Sequence, residues 1–120
     1  MELPKSQKKT ARLLIDRALQ RECRQYLQRI EQLLQHANNE NTTPHDIYLK
    51  LYKETYYFDK HIAQRYDNMS GSRYFPTIVS LFCSDVLTLE DISLFSEEVQ
   101  EAIVRTKHLL NGTEGNRSAS

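Results

Sequence analysis

The chain has 120 residues, of which 39% are hydrophobic and 27% charged, with three Gly, three Pro, two Cys and a formal net charge of zero. A chain of this size buries roughly two-thirds of its unfolded surface and needs no disulfide or metal staple. Few Gly and Pro exclude a turn-rich β-sandwich. No apolar run approaches the ~20 residues of a membrane span, and zero net charge removes a bulk electrostatic case for nucleic acid.

The polar stretch Met1 to Arg12 lacks the apolar core of a secretory signal. Cys23 and Cys83 are lone thiols without a CxxC pattern. Together these predict a reduced, cytoplasmic protein with one helical thiol and one core thiol. Charge is segregated along the chain. Bases crowd residues 1–30, whereas residues 85–101 hold Asp85, Glu90, Asp91, Glu97, Glu98 and Glu101 and no base. Separated fields of this kind steer a bipolar partner or a second copy of the chain.

From about Ser6 to Ala37 there is no Pro or Gly, and good helix formers dominate. Leu19, Cys23, Tyr26, Ile30, Leu33 and Ala37 follow steps of four and three, the spacing of a helix seam, and Leu27 and Leu34 widen it. Such a helix runs roughly 45–48 Å. A compact domain of this length has a radius of gyration of only about 13–14 Å. The seam is therefore predicted to dimerise, through Leu19, Cys23, Tyr26, Ile30 and Leu33.

Asn38 to Thr43 is a polar break, and Thr43-Pro44-His45-Asp46 starts a second helix that runs to about Tyr66. Thr43 caps, Pro44 suits the first helical position, and Asp46 suits the positive end. Its inner stripe is Ile47, Leu51, Thr55, Phe58, Ile62 and Tyr66. A short loop makes the two helices antiparallel neighbours.

Asp67 to Ser72 reads as a turn. A third helix is expected near 74–86, apolar nearly all round, with Pro76 in its first turn. Thr88 and Ser96, each followed by acids, start a short helix near 89–95 and a last one near 97–110. Val99, Ala102, Ile103 and Leu110 should face inward, and Asn111-Gly112 should end the helix. The expected architecture is all-α: a two-helix antiparallel stalk over 1–67, a small helical head over 68–112 and a disordered tail over 113–120.

Residues with catalytic chemistry do not converge into any motif. His36, His45, His61 and His108 form no HExxH or ExxH pattern, and there is no GxSxG, P-loop or GxGxxG. No catalytic residue, cofactor or metal site is expected, and the chain is read as a non-enzyme. A helix-turn-helix reading of the head fails on sign, because its candidate recognition elements are acidic. A nucleic-acid binder using Lys5, Lys8, Lys9 and Arg12 is the alternative function, although only Tyr26 interleaves aromatically with the N-terminal bases.

The second helix is more informative. Tyr48, Tyr52 and Tyr56 recur every four residues, with Tyr57 adjacent, beside the inner stripe rather than within it. Tyrosine brings large contact area and a polar tip at small entropic cost, so it is enriched at protein interfaces.

Three stretches carry a family resemblance: Ala18-Leu19-Gln20-Arg21-Glu22; Gln64-Arg65-Tyr66-Asp67; and the segment Leu81-Phe82 through Leu87-Thr88-Leu89-Glu90-Asp91-Ile92 to Ile103. In order and spacing, over roughly residues 10–105, the chain resembles the fluorescence recovery protein family of cyanobacteria. The departures in length are a longer loop near Asn38–Thr43 and a small insertion near Met69–Ser72. The resemblance implies a helical, dimerising non-enzyme without cofactor. It also implies binding of the orange carotenoid protein, a carotenoid-binding blue-light photoreceptor, and faster return of that protein to its inactive form, which ends photoprotective quenching. The family presents a W-x-x-H-D cluster and an Arg on its second helix. The matching positions here are Leu49, Tyr52, Lys53 and Asp59, with two charges reversed and aromatic bulk at Tyr48 and Tyr52. Reversed charges in a docking surface reject the original partner, since like-charge contacts cost several kcal/mol. The expected site is thus a protein-binding surface of Tyr48, Leu49, Tyr52, Lys53, Tyr56 and Asp59, facing an altered or unrelated partner.

Overall fold

The computed structural model describes residues 1–39 and 41–119. Five helices follow one another: α1 (Lys5–Ala37), α2 (Pro44–Tyr66), α3 (Gly71–Cys83), α4 (Leu89–Ile92) and α5 (Glu97–Ala119). There is no strand among the described residues. None of these helices is long and apolar enough to cross a membrane.

The chain divides into two compact units, Met1–Ala18 with Met69–Ser120, and Leu19–Asn68. The change of unit falls after Asn68. The first eighteen residues, expected in the stalk, instead group with the C-terminal helices. The reason lies in α1 itself: Ala11, Leu14, Ile15 and Ala18 are its buried residues, and all precede the expected seam.

In the first unit, α3 packs on α5. Leu14, Ile78, Leu81, Val99 and Ile103 are wholly enclosed, and Leu3, Leu87, Ile92 and Phe95 are among the other buried residues of the core. Each such side chain contributes roughly 1.5–3 kcal/mol on burial. Arg17 donates to Asp91 at 2.9 Å, and the Ser96 backbone N–H donates to Gln7 Oε1 at 2.8 Å. The basic and acidic segments, expected as separated fields, thus meet inside one unit.

Helix ends follow local chemistry. Thr43 and Asp46 form a reciprocal capping box at the start of α2, and Thr88 and Asp91 form another at α4. α3 starts and ends three residues earlier than expected. Its end is a Schellman motif: Val86 N–H donates to the Leu81 carbonyl and Asp85 N–H to the Phe82 carbonyl. Asp85 takes the left-handed conformation (φ 62°) that glycine usually supplies there, so no glycine marked the stop.

α4 is shorter than expected, because the chain turns tightly at Ser93–Phe95 to enter α5. α5 runs through Asn111-Gly112, so the expected disordered tail is helical as far as Ala119, with Ser120 outside the described residues. Gly112 has no positive φ, and a Cβ there would meet nothing within 4 Å, so it lowers helix propensity without stopping the helix. Leu110 is half exposed rather than inward. It borders an open cleft with Phe75, Val79 and Cys83, and Cys83 is half-buried rather than deep in the core.

Candidate protein-binding surface

The second unit, Leu19–Asn68, contains no fully buried residue among those described. Two helices alone cannot enclose a side chain from all sides, so each apolar stripe stays half-covered. Tyr26 stacks on Phe58 with ring centroids 4.1 Å apart and planes 6° apart, and its hydroxyl pairs with Thr55 Oγ1. Arg29 donates to Glu54 at 2.9 Å and lies over the Tyr26 ring. These contacts set the register of α1 against α2.

The strongest polar cluster in this unit is centred on Glu22. Its carboxylate accepts from Arg65 Nη1 at 2.8 Å and from the Tyr66 hydroxyl, and it contacts His61 Nε2 at 2.9 Å. Burial pushes the Glu22 carboxyl up. Hydrogen bonds from Tyr66 and His61 and the charge of Arg65 outweigh that, and hold it below the usual carboxylate range. Burial, reinforced by the hydrogen bond to Glu22 and its charge, pushes the Tyr66 phenol far above its ordinary value. Glu22 on α1 and Arg65-Tyr66 at the end of α2 therefore meet in space. The groups of this cluster satisfy one another, and no group of three or more His, Cys, Asp or Glu able to hold a metal occurs among the described residues.

The predicted partner-binding residues lie on the outside of α2. Tyr48 (61% exposed), Leu49, Tyr52 (64%) and Tyr56 present large side chains to solvent, and Lys53 and Asp59 are exposed beside them. Lys60 Nζ sits 4.4 Å from the Tyr56 ring centroid, and Tyr57 meets the Tyr56 ring edge-on. Tyr57 also lines a cleft with Glu22, Tyr26 and His61, which sets it apart from the other three. A second groove, lined by Arg29, Leu33, His36, Asp46, Ile47 and Lys50, lies toward the loop end of the hairpin.

The expected dimerisation residues divide. Leu19, Cys23, Tyr26, Ile30 and Leu33 are all half-buried. Tyr26 is taken by Phe58 of its own chain, because α2 covers the flank of the seam on which it stands. Leu27 (64% exposed) and Leu34 (41%), which only widened the seam in sequence, are the apolar α1 residues of this unit left open.

No family model, curated protein or solved structure matches the chain.

Proposed function

We propose that the protein is a non-enzymatic regulator that acts by binding another protein through the outer face of α2, at Tyr48, Leu49, Tyr52, Lys53, Tyr56 and Asp59. The observation that carries this reading is the apolar exposure of the Leu19–Asn68 unit: it encloses no side chain fully, yet exposes Leu27, Leu34, Tyr48, Leu49, Tyr52, Tyr56 and Tyr57. Isolated apolar residues are ordinary on a surface, whereas a run of large ones on one short element marks an interaction site. A tyrosine-rich patch with charges at its border is the composition of an interface centre and rim.

The resemblance to the fluorescence recovery protein family supports a regulator that favours one conformational state of its partner. Regulation then follows from differential affinity for the two states. The altered cluster at Leu49, Tyr52, Lys53 and Asp59 favours a partner other than the family's photoreceptor, or an altered form of it. The other expected occupant of the hairpin is a second copy of the chain, bound through α1.

The test is a double substitution, Tyr52→Ala with Tyr56→Ala. Both side chains are exposed, so helix content and melting temperature should hold, while partner affinity falls by about 2 kcal/mol or more. Unchanged affinity in a folded double variant moves the site off α2. Binding lost instead on neutralising Lys5, Lys9 and Arg12, with a steep salt dependence, favours nucleic acid.

A further inference from the structure

Tyr48, Tyr52, Tyr56 and Lys60 follow one another at four-residue steps, so they form a single ridge along α2. Leu49, Lys53 and Tyr57 form the neighbouring ridge, one residue further on. Every side chain of both ridges is exposed, so the shallow groove between them is uncovered in this chain. Charge is uneven across it. Lys53 stands in one ridge and Lys60 ends the other, seven residues apart and so about 10 Å along the axis. Asp59 stands on the far side of the tyrosine ridge. None of these three charges has an ion-pair partner among the described residues.

The shape of this face selects among the ways a protein receives a peptide. An added β-strand needs a sheet edge, and no strand occurs among the described residues. A polyproline segment needs a groove walled by aromatic rings, whereas here the rings run along one ridge and Leu49 and Lys53 make the facing wall. A helix needs two parallel ridges with a groove between them, into which it lays a ridge of its own. Ridges at four-residue steps cross at about −50°, so the contact spans only a few turns. Single-stranded nucleic acid needs open ring faces for its bases. Lys60 Nζ instead covers the Tyr56 ring at 4.4 Å, Tyr57 meets that ring edge-on, and the Asp59 carboxylate beside it repels phosphate.

We propose that this face of α2 takes an acidic amphipathic helix of a partner protein, its apolar ridge seated between Tyr52 and Leu49 and its carboxylates meeting Lys53 and Lys60. This rests on the protein-binding reading of the same face and names the kind of segment bound there. The tyrosines hold the helix, and the lysines choose its sign and speed its approach.

The experiment selects helical peptides on the full chain from a display library unbiased in charge, then measures the affinity of the synthesised winners at low salt. Winners are expected to carry apolar residues at helical spacing with two or more acids on one flank. Lys53→Glu with Lys60→Glu, checked for native helix content and melting temperature, should weaken them about tenfold or more. Exchanging the acids of a winner for lysines should restore its binding to that variant. Winners with no acidic excess, or affinity unmoved by the charge reversal, overturn the acidic helix. If Tyr52→Ala with Tyr56→Ala still abolishes their binding, the protein-binding face stands without it. Winners bound equally by the tyrosine variant overturn both. A single-stranded oligonucleotide that binds through the same tyrosines and displaces the winners overturns the proposal in favour of nucleic acid.

Discussion

The Arg17 guanidinium donates at 2.9 Å to Asp91, whose side chain is 4% exposed. The other Asp91 oxygen accepts from the Thr88 backbone N–H at 2.8 Å and from the Thr88 hydroxyl at 3.0 Å. One buried carboxylate thus caps α4 and ties it to α1. Asp91→Ala removes both and leaves the Thr88 N–H unsatisfied. The expected loss is about 2–4 kcal/mol in urea unfolding, with Arg17→Ala costing less because Arg17 is partly in solvent.

The Glu22 cluster makes a prediction about pH. Its carboxyl is depressed in the folded state from its ordinary value of 4.5, so the stability it supplies is present above that value and declines as pH falls through the folded value. Tyr66 is raised from 10.0, so its contribution is present below that value and declines at higher pH. Melting temperature of the native chain should therefore drop on the acid side below about pH 4.5. Glu22→Gln should flatten that drop while lowering stability at neutral pH. An unchanged acid slope in Glu22→Gln contradicts the linkage.

Asp85 at φ 62° occupies the position where glycine is least strained. Asp85→Gly should stabilise the protein by about 0.5–1 kcal/mol, the local strain relieved exceeding the added freedom of the unfolded chain. Chemical denaturation with an unchanged m-value checks it. A destabilised variant means that the Asp85 side chain supplies more than the backbone strain costs.

Ile103 is fully enclosed, whereas Leu110, one helical stretch later, is half exposed. Ile103→Ala should cost about 2–5 kcal/mol, whereas Leu110→Ala should cost well under half as much. Equal costs contradict the burial difference along α5.

The helices of the hairpin were readable because their signals are local. Thr43-Pro44-x-Asp46 is a capping box with proline at the first helical position, and it starts α2 where expected. The Tyr48, Tyr52 and Tyr56 spacing set those residues beside the inner stripe, and they are exposed. What escaped was non-local or disguised. The burial of Leu3 and the grouping of the first eighteen residues with α3 to α5 depend on tertiary contacts that periodicity does not encode. The end of α3 relied on an aspartate in a glycine conformation. Glu22 draws its partners from Arg65 and Tyr66, more than forty positions away in sequence, so no short motif joins them. Leu27 and Leu34 appeared only to widen a seam, and whether α2 covers them depends on which flank Tyr26 and Phe58 select.

The central claim, that the outer face of α2 binds a protein, is tested most directly by comparative affinity capture. Native chain and the folded Tyr52→Ala, Tyr56→Ala variant are used on the same nuclease-treated extract of the source cell, at low and high salt, with quantitative mass spectrometry. The account predicts a protein held by the native chain at both salt concentrations and lost with the variant, since a tyrosine-centred interface is only modestly salt-sensitive. A captured protein held equally by both chains, or binding that vanishes at high salt, would contradict it.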